Sequence, residues 1–82
     1  MERSEILAQV IKLAKEKLVP KKDIEVKETS RFQEDLNADS IDITDFAMEL
    51  ETVFKIKMDD KDMDKIKTIG DAVDLIYQQK SK

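Results

Sequence analysis

Glu34-Asp35-Leu36-Asn37-Ala38-Asp39-Ser40-Ile41-Asp42 lies near the middle of the 82-residue chain. Asp39 and Ser40 are both residue types that cap helix N-termini, and Asp42 then falls in the first turn, where the helix dipole favours an acid. Downstream, Ile43, Phe46, Ala47, Leu50, Val53 and Phe54 recur at the spacing of one apolar helix face. The pattern predicts a helix from Ser40 to about Phe54, with Asp42, Asp45, Glu49 and Glu51 on the exposed side. Upstream, Ser30 and Gln33 have capping-box spacing, which predicts a short helical turn through Phe32 to Leu36.

The rest of the chain reads as helices joined by polar loops. One Gly and one Pro are too few for the tight turns of hairpins. Ile6, Leu7, Val10, Ile11, Leu13, Ala14 and Leu18 predict a first helix over Ser4 to Leu18, capped by Ser4. Pro20 biases Val19 away from helical geometry and ends it. A long loop follows to about Arg31, with Ile24 and Val26 as anchors to the core and no second strand for them to pair with. A short third helix is expected from about Asp59 to Lys65, with Met63 and Ile66 facing inward and Asp59 available as its N-cap. Thr68 and Asp71 have capping-box spacing ahead of a fourth helix, whose apolar stripe is Ala72, Val73, Leu75, Ile76 and Tyr77. Gly70 falls in its first turn, and the polar end from Gln78 onward is expected to fray. The expected fold is all-α: one domain over residues 1–82, three principal helices plus a short one, with a long loop between the first two.

Composition narrows function by exclusion. The chain has no Cys and no His. Disulfides, thiolate nucleophiles, the common zinc ligands and a Ser-His-Asp triad are all ruled out. No apolar run exceeds three residues, so no membrane span or signal-peptide core is expected. An acidic chain is poorly suited to nucleic acid. Asp59 to Asp64 lacks the central Gly and final Glu of an EF-hand loop, so no metal site is assigned. The reading is a small cytoplasmic monomer that is not an enzyme by itself.

The net charge of -4 is unevenly spread. Residues 35–64 hold ten acids against three lysines, a net of -7, while both ends are mildly basic. A solvated helix face explains a charge run in general. Here the acids at 42, 45 and 49 share one side of a helix, which suits a docking face for basic partners. Such a field raises on-rates more than affinity. Ser40 has no His or Lys placed in sequence to activate it, so it is a poor nucleophile for catalysis. At a helix start its hydroxyl is better suited to modification by another enzyme, because the free N–H groups and the dipole stabilise an attached phosphate.

On these residues the chain resembles the acyl carrier protein family. The family carries an Asp-Ser-Leu at the start of its second helix, after a Glu-Asp pair and a Leu-Gly-Ala-type loop. Glu34 to Asp42 matches that pattern. The likeness continues through Phe32, Leu50, Glu51 and Phe54 to Lys65-Ile66, Thr68-Ile69 and Ala72 to Tyr77. The resemblance implies that Ser40 is esterified by 4′-phosphopantetheine from coenzyme A, added by a separate holo-acyl-carrier-protein synthase or phosphopantetheinyl transferase, with Asp39 beside it. The arm's thiol would then carry acyl chains to fatty acid synthesis enzymes and acyltransferases that have basic docking patches. A borrowed thiol accords with the absence of Cys.

By the same likeness, Asp39, Ile41, Asp42, Asp45, Met48 and Glu51 match the partner-docking surface. Met58, counted with the docking residues, also joins Met63 and Ile66 at apolar positions near the second and third helices, where the acyl chain is sheltered. Phe46 and Leu50 are counted with that space, although they read first as plain core, as do Phe32 and Phe54. The chain departs from the family at four positions. Asn37 replaces the usual Gly, Ile41 the usual Leu, Thr44 a common apolar residue, and Asp59 a frequent Pro. Asn tolerates positive φ better than other non-Gly residues, so the loop is expected to survive. Two alternatives stay open: a carrier for a specialised lipid, polyketide or aminoacyl pathway, and an unmodified helical adaptor.

Overall fold

The computed structural model describes residues 2–18 and 25–80. Four helices follow in order: α1 (Arg3–Lys17), α2 (Ser40–Phe54), α3 (Asp60–Lys65) and α4 (Ile69–Lys80). No strand occurs among the described residues, so the all-α expectation holds. The core is one cluster. Ile6, Val10 and Ala14 of α1 face Ala72, Val73 and Ile76 of α4, and α2 contributes Phe46, Ala47, Leu50 and Phe54. Spacings of three and four residues put each set on one face. The Phe32 and Phe46 rings meet at 5.6 Å between centroids with a 58° tilt. That arrangement adds about 0.5–1.5 kcal/mol beyond area burial.

The first helix differs from its expected start. Ser4 lies inside α1, and the cap residue is Glu2, whose carbonyl accepts the N–H groups of Glu5 and Ile6 at 3.1 Å each. The first turn is held from afar. The Arg3 guanidinium reaches Glu28 and Asp74, both at 2.8 Å, and so staples α1 to the loop and to α4. Those hydrogen bonds hold the Glu28 carboxyl below the usual carboxylate range and push the Arg3 guanidinium up.

The long loop is anchored by its buried Val26, as expected. Helix α1 ends at Lys17 with Leu18 as its C-cap, while Val19, Pro20 and Ile24 lie outside the described residues. Ser30 does not form a capping box with Gln33. It is buried, and its Oγ accepts the Lys27 N–H at 2.8 Å. The turn through Phe32 to Leu36 is instead organised by Asp35, whose carboxylate accepts the Arg31 N–H at 2.8 Å.

The loop also finds a partner that local sequence did not offer. Residues 28–32 bridge to the start of α4: Phe32 N–H to Lys67 O, Ile69 N–H to Ser30 O, and Gly70 N–H to Glu28 O, at 2.8–3.1 Å. Gly70 owes its place to this close approach. A Cβ there would sit 3.0 Å from Glu28 Cγ and 3.2 Å from the Glu28 carbonyl oxygen.

Three of the four helix starts are locally encoded. Asp39 with Asp42, and Asp59 with Asp62, form reciprocal capping boxes. Thr68 and Asp71 do the same for α4, with N–H to oxygen distances of 3.1 Å in both directions. Helix α2 ends on Lys55 in the left-handed conformation, at φ 57°. Two apolar expectations fail: Val53 and Tyr77 are each 41% exposed, because both sit at the edge of their helix's buried face. Helix α4 continues through Lys80 rather than loosening at Gln78. The Gln79 amide explains this, since it donates to Lys57 O at 2.7 Å and accepts the Lys57 N–H at 3.4 Å.

Candidate functional site

Helix α2 begins sharply. Asp42 N–H donates to Asp39 Oδ1 at 2.9 Å, and Asp39 N–H donates to Asp42 Oδ2 at 3.3 Å. The preceding turn depends on Asn37, which adopts φ 56°. Asn is the non-Gly type that reaches this region most readily, so the loop keeps its path without the glycine. Leu36 and Ala38 on either side are buried and pin the turn. Ser40 is therefore delivered as the first residue of α2, exposed, with its hydroxyl in no hydrogen bond among the described residues. The Ser40 and Ile41 N–H groups are likewise unpartnered there. They are the orphan donors of a helix start, and they carry its partial positive charge.

Ser40 borders a half-open hollow of about 210 Å³. The loop at 31–34, the first turns of α2 and the end of α3 form its walls. Its apolar lining is Phe32, Ile43, Met63 and Ile66. Met63 and Ile66 thus meet the serine at one site. Phe46 and Leu50 do not reach the hollow; they are packed into the core. Ile43, read from the sequence as part of the apolar face of α2, and Thr44, read as a departure from the family, lie three and four residues beyond Ser40 and so share its face. Thr44 donates its Oγ1–H to Ser40 O at 2.8 Å, which satisfies the hydroxyl that replaces an apolar group. Arg31 is neutralised on the rim by Glu34 and Asp35. Its side-chain and backbone hydrogen bonds hold the Asp35 carboxyl below the usual carboxylate range.

The outward side of α2 is acidic and dotted with apolar groups. Ile41 is 70% exposed and Met48 55% exposed, while Asp42 and Asp45 stand open to solvent. Glu51 is half-buried, and its carboxylate accepts the Met58 N–H at 3.3 Å, so it also secures the α2–α3 loop. Met58 is buried, against its placement among the docking residues: its side chain fills the core beneath that loop. Among the described residues no group of three or more acidic side chains is arranged to hold a metal ion.

The model of a phosphopantetheine attachment site matches residues 4–76. An acyl carrier protein of Thermotoga maritima is 40% identical over 77 residues, which cover 94% of either chain. The crystal structure of a Thermotoga maritima acyl carrier protein superposes with a TM-score of 0.80 at 32% identity, over 99% of this chain and 93% of that one. The acyl carrier protein of Enterococcus faecalis gives 0.76 at 39% identity, over 96% and 99%. Fold and site together define a small helical carrier domain, not an enzyme. The chain belongs to the acyl carrier protein family, whose prosthetic group is covalent 4′-phosphopantetheine. Its working role is therefore to engage synthase enzymes and hold acyl chains. No helix among the described residues is long and apolar enough to cross a membrane.

Proposed function

We propose that Ser40 carries the 4′-phosphopantetheine arm and that the protein shuttles growing fatty acyl chains, as thioesters, among the enzymes of fatty acid synthesis. The observation that supports this most is the presentation of Ser40. Its hydroxyl is exposed and, among the described residues, unbonded, and two N–H groups of the helix start that are likewise unpartnered there lie next to it. A phosphodiester at that oxygen fits the donors and the dipole. The arm supplies the thiol; Asp39 and Asp42 keep the first turn closed beneath it.

Ile41, Asp42, Asp45 and Met48 form the docking face for basic patches on the transferase, synthases and acyltransferases, with Asp39 and Glu51 at its margins. Apolar Ile41 and Met48 give contact area, and the acids steer approach. Met63 and Ile66 shelter the start of the acyl chain. Intact mass of the protein purified from its native source reads the cargo. A ladder of saturated, hydroxy and enoyl thioesters is the expected result. An aminoacyl or polyketide adduct alone would replace fatty acid synthesis by the specialised-pathway alternative. Cytoplasmic location and a monomeric state belong to the same proposal.

A further inference from the structure

Two basic residues, Arg31 and Lys67, line the hollow beside Ser40, together with the acids Glu34 and Asp64. The Arg31 guanidinium is taken up by Glu34 and Asp35, so little of its charge is available to a third group. Lys67 differs. Among the described residues its ammonium has no ion-pair partner, although Asp64 also lines the hollow. The Lys67 backbone is fixed on both sides: its N–H donates to Asp71 Oδ2 at 3.1 Å, and its carbonyl accepts the Phe32 N–H at 3.1 Å. Its neighbour Ile66 is buried in the core. An exposed cationic side chain thus starts from a rigid base and lines the same cavity as Ser40.

We propose that Lys67 is a positioning residue that draws the phosphodiester of the Ser40 arm over the hollow and so starts the arm inward, along α3, rather than out into solvent. This rests on the reading of Ser40 as the attachment residue. Charge complementarity is the reason. The attached phosphodiester adds a negative charge next to Asp39 and Asp42, which repel it, and Lys67 is the cation on the hollow that no carboxylate among the described residues holds. The apolar lining of Ile43, Met63 and Ile66 then receives whatever the arm bears.

The test is amine labelling of apo and holo protein with an acetylating reagent, read by peptide mass. An ammonium paired with the phosphodiester is shielded by an exposed ion pair, so attachment lowers Lys67 labelling about twofold to fivefold. Lys57 and Lys61, which do not line the hollow, keep their rates. In holo protein the phosphorus NMR signal of the arm moves in Lys67→Gln and returns toward wild type in Lys67→Arg. Apo Lys67→Gln melts at the wild-type temperature, which separates positioning from folding. If the mass shows the arm in place and Lys67 labels equally fast in both forms, Lys67 does not hold it. If the arm never attaches to wild-type protein, the reading of Ser40 falls, and this inference falls with it.

Discussion

Replacing Asp39 by Ala isolates the device that presents Ser40. The substitution removes the acceptor for the Asp42 N–H, a 2.9 Å bond, and leaves that donor without a protein partner. Loss of an Asp N-cap costs about 1 kcal/mol, within a range of about 0.5–2. In a chain of this size, 1 kcal/mol lowers the melting temperature by about 4–8 °C. The reciprocal bond from Asp39 N–H to Asp42 Oδ2 is longer, at 3.3 Å, so Asp42→Ala should cost less than Asp39→Ala. Asp39→Ser keeps a capping oxygen but removes the charge. It should lose only the dipole contribution, about 0.3–1 kcal/mol at low salt, and that loss should vanish as salt is added. Circular dichroism melts of the three variants measure these differences. The rate of arm addition by a phosphopantetheinyl transferase should follow the same order, because a frayed first turn no longer fixes Ser40. An Asp39→Ala protein that melts within a degree of wild type would refute the claim that the capping box sets this helix start.

Other substitutions probe the frame. Lys55→Gly relieves the left-handed φ of 57° at the end of α2 and should raise stability by about 1 kcal/mol, seen as a higher melting temperature. Gly70→Ala should destabilise by about 1–3 kcal/mol, the reverse of an ordinary helix Gly→Ala, because the Glu28 carbonyl oxygen 3.2 Å from the new Cβ is bound to the Gly70 N–H and cannot withdraw. The Glu28 and Asp35 carboxyls are held below their ordinary values of 4.5 and 3.8. The unfolded chain therefore binds more protons in that window. Their stabilisation is present above about pH 4.5 and drains away as pH falls through the lower folded-state values. Glu28→Gln should flatten the acid limb of a stability-versus-pH curve. Finally, Asp45→Lys and added salt should each weaken binding to a ketoacyl synthase, measured by calorimetry; salt-independent binding would remove electrostatic steering from the account.

Sequence legibility followed the range of the interactions. The start of α2, the start of α3 and the Thr68–Asp71 box were readable because donor and acceptor lie three residues apart. Asn37 was readable because few residue types accept its backbone geometry. The start of α1 was not, since Arg3 is secured by Glu28 and Asp74, which only the fold brings near. Ser30 misled for a related reason. Its spacing suits a cap, but burial turns its hydroxyl back to Lys27. The bridge between residues 28–32 and the start of α4 is a pairing of distant backbone groups, and no periodicity announces it. Val53 and Tyr77 sit where a helical stripe shades from buried to exposed, a boundary that side-chain identity alone does not draw. At the site, Ser40 and the acids of α2 were legible from local pattern. The hollow was legible only in part, because Arg31, Lys67 and α3 reach it from three separate segments.

The central claim is that one exposed serine at the start of α2 holds the arm. Intact mass before and after incubation with coenzyme A and a phosphopantetheinyl transferase tests it most directly. The account predicts that wild-type protein gains one phosphopantetheine and that Ser40→Ala, folded to the same helix content, gains none. A Ser40→Ala protein that still takes up the same mass would contradict it.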